Sequence, residues 1–182
     1  MAVRLFKPGR IGDSRGWFSE VYSEVAFAAR GVDCRFVQDN HSLSRTAGTV
    51  RGLHFQRPPH AQAKLVRCVA GRIFDVAVDI RRGSPTYGRW VGAELSAENG
   101  LMMFVPVGFA HGFATLTANC EVCYKVSAPY ARGGEGGLRW DDPGIGVVWP
   151  LPTGVEPTLS EADRRQPSLT AFDSPFDYDG EP

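Results

Sequence analysis

Short apolar segments separated by glycine and proline turns fill the middle of the chain, from Val50 to Tyr130. Segments of about 4–8 residues bounded by such turns are typical of β-strands. Turns such as Pro58-Pro59 and Asn99-Gly100 recur at spacings near the roughly 8–12 residues found between strands of a sandwich or barrel. The pattern therefore predicts an all-β fold. The predicted strands are Val50 to Gln56, Ala63 to Ala70, Arg72 to Ile80, Arg89 to Leu95, Met102 to Val105, Gly112 to Leu116 and Glu121 to Ser127.

The predicted strand from Arg72 to Ile80 indicates which side of its sheet faces a pocket. Its even-numbered residues from Phe74 onwards are apolar, whereas Asp75, Ala77 and Asp79 between them are smaller or charged. Successive residues of a strand point to opposite faces. We therefore expect one apolar face that packs on the outside of the sheet and a second, more polar face that lines a pocket.

Fewer regular elements are predicted outside this region. Strand patterning is expected from Phe18 to Tyr22 and from Cys34 to Gln38, and a polar loop from Ser42 to Gly48. Ser23 is a predicted N-cap for a short helix from Glu24 to Arg30. Near the end of the chain, a short helix is predicted from Ser160 to Arg165, and the tail from Phe172 to Pro182 is expected to be loose or to lie on a neighbouring chain.

Length and charge limit the number of domains and the kinds of partner. A chain of 182 residues is expected to form one domain over residues 1–182, with residues 166–182 as a tail. Twenty acidic residues balance twenty basic ones, which argues against nucleic acid or an anionic membrane as a partner. No apolar run approaches the roughly 20 residues that cross a bilayer, and no signal peptide is evident, so a cytoplasmic protein is expected.

The cysteines and histidines argue against a resident metal ion. The chain has one CxxC pair, Cys120 and Cys123, whose side chains would point to opposite faces of a strand, so reduced thiols are expected. The segment that ends at His111, Pro-Val-Gly-Phe-Ala-His, resembles the second half-motif of the cupin double-stranded β-helix. Metal-binding cupins carry His-x-His in their first half-motif, whereas this chain reads His54-Phe-Gln56. We therefore expect no metal and no other cofactor.

Four residues could carry acid–base chemistry, and each also has a structural interpretation. His54 is either a core histidine in a strand or a general base. Asp163 is either its partner carboxylate or the N3 residue of a capping box with Ser160. Lys64 is either a surface charge at a strand end or a functional ammonium, and Tyr124 is by default a core aromatic residue with its hydroxyl at the rim.

Eight motifs follow one another along the chain: Gly12-Asp-Ser-Arg-Gly-Trp-Phe18, Phe36-Val-Gln-Asp-Asn-His-Ser42, Val50-Arg-Gly-Leu-His-Phe-Gln56, Ala63-Lys-Leu-Val-Arg-Cys68, Phe74-Asp-Val-Ala-Val-Asp-Ile80, Leu95-Ser-Ala-Glu-Asn99, Pro106-Val-Gly-Phe-Ala-His-Gly112 and Trp140-Asp-Asp-Pro143. Taken together and in this order, they resemble the dTDP-4-dehydrorhamnose 3,5-epimerases, which are metal-free cupins of nucleotide-sugar metabolism. The resemblance runs from about Arg4 to Asp163. It implies a cupin-type jelly-roll barrel with a few short peripheral helices.

The resemblance also implies a role for each matching residue. It makes His54 the base, Asp163 its orienting carboxylate, Tyr124 the acid on the opposite face of the sugar, and Lys64 the neighbour of the keto oxygen. Two positions depart from the family pattern, Ala162 where lysine is frequent and Pro129 where an aromatic residue is common. The residues that match nucleotide-sugar contacts are Arg15, Glu20, Gln38, Asn40, Arg51, His111 and Glu135, and Tyr130 matches the ring that stacks on thymine.

The implied substrate is a dTDP-4-keto-6-deoxy-hexose, and three interpretations of the reaction stay open. The hydrogens on C3 and C5 of such a sugar are acidic because the carbanion spreads onto the C4 oxygen, so a base and an opposed acid can invert either carbon. The first interpretation is a 3,5-epimerase, or a relative that inverts C3 alone or C5 alone. The others are a keto-isomerase, and a non-catalytic cupin that binds sugars.

The resemblance further implies a homodimer. The segment from Ala2 to Phe18 is rich in residues that form strands, and an edge strand needs a cover. We expect residues of about 1–18 to be exchanged between the two subunits, with Arg15 and Glu20 completing the neighbour's nucleotide site.

Overall fold

Two five-stranded antiparallel sheets form the body of the computed structural model, which describes residues 2–180. In the first sheet the strand order is β1-β9-β6-β11-β4, and in the second it is β12-β5-β10-β7-β8, while β2 and β3 form a separate hairpin. The strands are β1 (Arg4–Phe6), β2 (Ile11–Asp13), β3 (Gly16–Phe18), β4 (Gln38–Ser44), β5 (Val50–Gln56), β6 (Lys64–Ala70), β7 (Arg72–Asp79), β8 (Trp90–Ser96), β9 (Met102–Val105), β10 (Phe109–Thr115), β11 (Cys120–Val126) and β12 (Glu135–Gly137).

Helices are short and peripheral. They are α1 (Glu24–Ala28) and α2 (Glu161–Arg164), followed by one 3-10 turn (Leu169–Ala171). The Ser23 side chain caps α1, as predicted, by accepting a hydrogen bond from the backbone N–H of Ala26. The predicted all-β jelly roll with a few short helices is therefore confirmed. Among the described residues, no helix has the length and apolar composition needed to cross a membrane.

The strand predictions are accurate in the middle of the chain and wrong at its beginning. Residues 19–23 are irregular, although a strand was expected from Phe18 to Tyr22. The strand expected from Cys34 to Gln38 begins only at Gln38 and continues to Ser44, through part of the expected polar loop. The reason is that β4 pairs with β11 along its whole length, and backbone pairing holds a strand whose side chains are mostly polar.

The outer face of β7 packs as its alternating residues predict, whereas the inner face, expected to line a pocket, is buried in the barrel and contributes no residue to the wall of the cavity that opens between the sheets. Ile73 and Ala77 belong to the apolar cluster between the sheets, where Asp75 also lies buried. Val76, Val78 and Ile80 belong to a second cluster on the outer face, which the C-terminal part of the chain covers. The inner face of β7 thus contributes both apolar packing and one charged group to the interior of the barrel.

The expectation of a loose C-terminal tail is wrong for the residues described. The Phe176 ring is buried and meets the Phe55 ring edge-on, with 5.7 Å between centroids. The Arg82 guanidinium pairs with Asp177 at 2.9 Å. Apolar residues of the tail cover the outer face of the second sheet, and this burial outweighs the polar composition of the segment. Residues 181 and 182 of the predicted tail lie outside the described residues.

The N-terminal segment divides into two parts. Strand β1 pairs with β9 of its own chain, so this part of the predicted exchange segment covers its own sheet edge. The β2–β3 hairpin, in contrast, extends apolar side chains into solvent, with Ile11 74%, Trp17 59% and Phe18 69% exposed. Exchange of this hairpin with a second subunit stays a prediction.

All four cysteines are free. Cys120 is completely buried, whereas Cys123 on the other face of β11 is partly exposed. The two thiols of the CxxC pair therefore lie on opposite faces of one strand, as predicted.

Candidate active site

A cavity of about 360 Å³ opens between the two sheets at one end of the barrel. Its wall combines side chains from β4, β5, β6, β11 and β12 with residues around α2. Most of these side chains are polar or titratable, which is unusual for the interior of a barrel and marks the cavity as the candidate active site. The lining residues are Gln38, Asn40, His54, Phe55, Gln56, Gln62, Lys64, Tyr124, Tyr130, Glu135, Ser160, Ala162 and Gln166.

His54 and Asp163 form a hydrogen-bonded pair in this wall. The imidazole Nε2 lies 2.5 Å from Asp163 Oδ1, although the two residues are 109 positions apart in the chain. The His54 side chain is 44% exposed towards the cavity, whereas that of Asp163 is only 4% exposed. A buried carboxylate fixes the orientation of the ring, and Nδ1 remains as the nitrogen that can take up a proton.

The capping and pairing interpretations of Asp163 are both correct. The Ser160 hydroxyl accepts a hydrogen bond from the Asp163 N–H at 3.1 Å and donates one to Asp163 Oδ2 at 2.7 Å. Burial raises the pKa of Asp163, but the hydrogen bonds from His54 and Ser160 outweigh it and hold the pKa below its usual value. The cap therefore fixes a carboxylate that stays ionised beside the imidazole.

Lys64 is a buried ammonium and not a surface charge at a strand end. It begins β6, its side chain lines the cavity, and the residue is only 8% exposed. Its Nζ donates a hydrogen bond to the backbone carbonyl of His54 at 3.3 Å. Burial lowers the pKa of Lys64 to about 8, and the negative charge of Asp75 opposes part of that change. The amine is therefore still mostly protonated at neutral pH.

Tyr124 faces the cavity from the sheet opposite to His54. It lies on β11 of the first sheet, whereas His54 lies on β5 of the second, and both line the same cavity. Burial raises the pKa of the Tyr124 phenol, and the nearby positive charge of Arg51 opposes this only in part. The phenol therefore holds its proton at neutral pH, as an acid that donates to the far side of a bound molecule must.

Four of the predicted contact residues form a connected group in the same cavity. Gln38 donates from Nε2 to Asn40 Oδ1 at 2.8 Å and accepts from the Tyr130 N–H at 3.0 Å. The Tyr130 hydroxyl donates to Glu135 Oε1 at 2.8 Å, while its ring is half exposed. This arrangement holds an aromatic face at the edge of the cavity, where a planar ring can stack on it.

The other predicted contact residues lie outside the cavity wall. The Arg51 side chain bonds to Ser44 Oγ and to the Leu43 carbonyl, and His111 is buried beside His54, its partner on the neighbouring strand, with its Nε2 2.8 Å from Asp75 Oδ1. Arg15 lies in the exposed β2–β3 hairpin, where its partner is Asp13, and Glu20 follows that hairpin. Within one chain, neither Arg15 nor Glu20 reaches the cavity.

The sequence interpretation missed three glutamines and the buried Asp75. Gln56 accepts a hydrogen bond from the Ala131 N–H at 2.9 Å, and Gln62 donates to the Ala128 carbonyl at 2.7 Å, so both fasten the loop that leads to Tyr130. Gln166 lies just after α2 in the cavity wall. Glutamine carries no pattern that distinguishes a pocket residue from a surface residue. Asp75 had a signal, because its strand alternation placed it on the pocket face.

The described residues contain no group of three or more histidine, cysteine or acidic side chains arranged to hold a metal ion. Gln56, at the position where a metal-binding cupin has histidine, instead uses its amide oxygen to hold the backbone of Ala131. His54 and Tyr124 place an imidazole and a phenol in this cavity, which are side chains of the kind that carry out acid–base chemistry, and Lys64 adds an ammonium.

The family model described as dTDP-4-dehydrorhamnose 3,5-epimerase matches residues 2–171. The chain belongs to this family. A dTDP-4-dehydrorhamnose 3,5-epimerase of Sinorhizobium fredii (strain NBRC 101917 / NGR234) is 56% identical over 176 residues, which cover 97% of this chain and 89% of that protein.

Solved structures of family members have the same fold. The dTDP-6-deoxy-D-glucose-3,5-epimerase of Legionella pneumophila Philadelphia 1, in complex with dTDP-4-keto-L-rhamnose, superposes with a TM-score of 0.89 at 41% identity, covering 94% of this chain and 89% of that chain. The dTDP-4-dehydrorhamnose 3,5-epimerase of Bacillus anthracis str. Ames, with TDP and PPi bound, gives a TM-score of 0.88 at 44% identity, covering 91% and 93%. The resemblance found in the sequence is confirmed, and with it the isomerase class of this epimerase family.

Proposed function

We propose that the chain is an isomerase that inverts C3 and C5 of a dTDP-4-keto-6-deoxy-hexose, converting the 4-dehydro-6-deoxyglucose form into the 4-dehydrorhamnose form. One observation carries the proposal: a carboxylate-held imidazole and a protonated phenol face the same cavity from opposite sheets. Relatives named for this reaction support it, as does a similar structure that contains dTDP-4-keto-L-rhamnose.

Each half-reaction begins with removal of a proton next to the ketone. His54 takes the proton from C3 or C5, and the electron pair moves into the bond towards C4, so that negative charge develops on the C4 oxygen. Asp163 stabilises the imidazolium that results, because its carboxylate stays ionised beside the ring. Lys64 places an ammonium where the enolate charge develops, and such a charge is most effective in a site shielded from water.

Inversion is completed when the proton returns from the other side. Tyr124 donates its phenolic proton to the carbon from the face opposite His54, and the carbonyl at C4 re-forms. His54 then loses its proton and Tyr124 regains one by exchange with water, which restores both groups for the second carbon. No net oxidation occurs, and the reaction as a whole consumes no co-substrate.

The nucleotide occupies the mouth of the cavity in this proposal. Tyr130 stacks on the thymine ring, while Gln38, Asn40 and Glu135 bond to the base or sugar. Of the two departures from the family pattern, Ala162 lines the cavity without contributing a charge, and Pro129 lies directly before the stacking tyrosine. Arg51 and His111, which lie beside and behind the wall, contact the substrate only if its arrival rearranges them.

Incubation with dTDP-4-keto-6-deoxyglucose in deuterated water tests the reaction. Deuterium at both C3 and C5, located by NMR, is the expected result. Label at C3 alone or C5 alone would mean a mono-epimerase, and a displaced carbonyl with no label at C3 or C5 would mean a keto-isomerase. Binding without any exchange would support the non-catalytic sugar-binding cupin and contradict the proposal.

We also propose that the functional unit is a homodimer. Arg15 is 87% exposed at the side chain and lies on a hairpin whose apolar residues Ile11, Trp17 and Phe18 are exposed. A second subunit would cover these side chains and receive the Arg15 guanidinium beside its own nucleotide phosphates, which such a fork binds well. The cytoplasmic location expected from the sequence stays a prediction.

A further inference from the structure

Behind the cavity wall lies a carboxylate that the mechanism above does not use. Asp75, on the inner face of β7, is completely buried. Its Oδ1 lies 2.8 Å from His111 Nε2, whereas its Oδ2 is buried and has no hydrogen-bond partner among the residues described. Buried polar atoms almost always have partners, because an unpaired one costs free energy. The unpaired Oδ2 therefore calls for a reason other than stability.

The groups around Asp75 leave its charge unbalanced by hydrogen bonds. Burial lowers the pKa of His111, although Asp75 opposes the change, so this ring is neutral at pH 7 and donates its Nε2–H to Asp75. A neutral ring does not cancel a carboxylate. The other titratable groups close to this pair are His54 on β5 and both Lys64 and Cys68 on β6, and Tyr124 on β11 faces the same cavity as Lys64. Of these, Lys64 is the only one that is cationic in its ordinary state at neutral pH.

Lys64 needs a negative charge nearby. Its ammonium is buried, and an isolated buried ammonium loses its proton readily. The other carboxylates at the cavity already have partners, since Asp163 is paired with His54 and Ser160 and Glu135 accepts from the Tyr130 hydroxyl. The Lys64 Nζ donates to the His54 carbonyl and not to Asp75. A direct ion pair would occupy a further N–H of the ammonium, whereas electrostatic attraction without a hydrogen bond leaves its remaining N–H donors free for a ligand.

We propose that Asp75 is a positioning residue, whose carboxylate is the counter-charge that keeps the Lys64 ammonium protonated at the cavity wall. The use of that ammonium on an enolate rests on the proposed function. The charge coupling itself is a property of the free protein and can be measured without substrate. His111 serves in this arrangement as the neutral donor that holds Asp75 in place.

The low lysine content makes a direct test possible. The chain has three lysines, Lys7, Lys64 and Lys125, so protein labelled with ¹³C at lysine Cε gives three signals, and Lys64→Met assigns one of them. In the wild type we expect the Lys64 signal to titrate near pH 8. In Asp75→Asn we expect its midpoint to fall by roughly one pH unit, the lower end of the effect of a neighbouring opposite charge.

A matched variant controls for general effects of removing a carboxylate. Asp39 lies 2.8 Å from Lys125, so Asp39→Asn removes a charge beside a different lysine. It should leave the Lys64 midpoint unchanged, and Asp75→Asn should leave the midpoints of Lys7 and Lys125 unchanged. An unchanged Lys64 midpoint in folded Asp75→Asn overturns the proposal.

A second measurement applies even if Asp75→Asn does not fold. ¹³Cγ spectra of wild-type protein labelled at aspartate, with the Asp75 signal assigned by correlation to its own backbone, report the ionisation of Asp75. The proposal requires an ionised Asp75 throughout the pH range in which Lys64 titrates, and a protonated Asp75 at pH 7 overturns it. These titrations involve no turnover, so they are unaffected if the deuterium experiment contradicts epimerisation.

Discussion

Replacement of Asp163 by asparagine separates its role in the helix cap from its role beside His54. Asparagine has nearly the same shape, and its backbone N–H can still donate to Ser160 Oγ as that of Asp163 does. What Asp163→Asn removes is the negative charge at 2.5 Å from His54 Nε2. Without that charge the imidazolium formed during proton abstraction has no stabilising partner, and the amide can also present a competing donor to the ring.

The expected size of the loss follows from these contacts. A positioned acid–base group contributes about 10²–10⁴ in rate, so we expect kcat for deuterium incorporation to fall within that range, equivalent to about 3–5 kcal/mol of barrier. The stability effect should be smaller, because one hydrogen bond with Ser160 is weakened, at about 1 kcal/mol. For a domain of this size that is a decrease in Tm of about 2–4 °C.

Ser160→Ala is the matched control. It removes the side-chain cap and the bond to Oδ2 but leaves Oδ1 beside His54. We expect a stability loss of about 1 kcal/mol and a change in kcat of a few-fold at most. The assays are deuterium exchange followed by NMR and thermal unfolding followed by circular dichroism. If Asp163→Asn keeps the wild-type kcat while its Tm falls like that of Ser160→Ala, Asp163 is only a cap and the dyad reasoning is refuted.

The remaining predictions concern the base, the lysine, metals and assembly. His54→Ala should abolish exchange at both carbons, and a loss of only a few-fold would make His54 structural. Because protonated Lys64 stabilises the enolate, kcat should decline as pH rises through about 8, and a rate that stays constant up to pH 10 would contradict this role. Dialysis against a chelator should leave turnover unchanged, because Gln56 stands where metal-binding cupins have a ligand histidine. Loss of activity that one divalent ion restores would overturn the expectation of a metal-independent reaction. Mixed dimers of His54→Ala and Arg15→Ala subunits should regain activity. If subunit exchange is demonstrated and no activity returns, Arg15 acts at the cavity of its own chain.

The strands that bury apolar side chains could be predicted from the sequence, and the polar ones could not. Strand β5 was predicted with its correct bounds because its apolar residues and flanking turns are clear. Strand β4 was displaced in the prediction because Gln38, Asn40 and Ser42 alternate with other polar residues. Its strand character comes from hydrogen bonds to β11, and such long-range pairing leaves little local pattern.

For the site residues too, part of the interpretation could be made from the sequence and part required the fold. The residues alone left two interpretations each for Asp163 and Lys64, and the resemblance favoured a catalytic role. The fold then shows that the cap and the dyad are compatible, because α2 packs against β5 and the capped residue in its first turn reaches His54. It also shows that Lys64 is buried although it begins its strand. Burial of a strand end depends on what the rest of the chain places over it, and no local pattern reports this.

For Asp75, the sequence pattern predicts the face of the strand on which the residue lies, but only the packed structure shows which of its oxygens have hydrogen-bond partners. Alternation along β7 places this residue on the inner face, and the sequence interpretation expected a polar pocket side there. Alternation carries no information about whether a buried carboxylate is matched by a donor for each oxygen. The pairing of each oxygen depends on the neighbouring strands. His111 on β10 bonds to Asp75 Oδ1, whereas Lys64 on β6 interacts with the charge of Asp75 but makes no hydrogen bond to Oδ2. A carboxylate with a hydrogen-bond donor for each oxygen would stabilise the barrel more. A carboxylate with one unpaired oxygen instead exerts its negative charge on the cavity. The unpaired oxygen of Asp75 therefore indicates a function and not a packing defect.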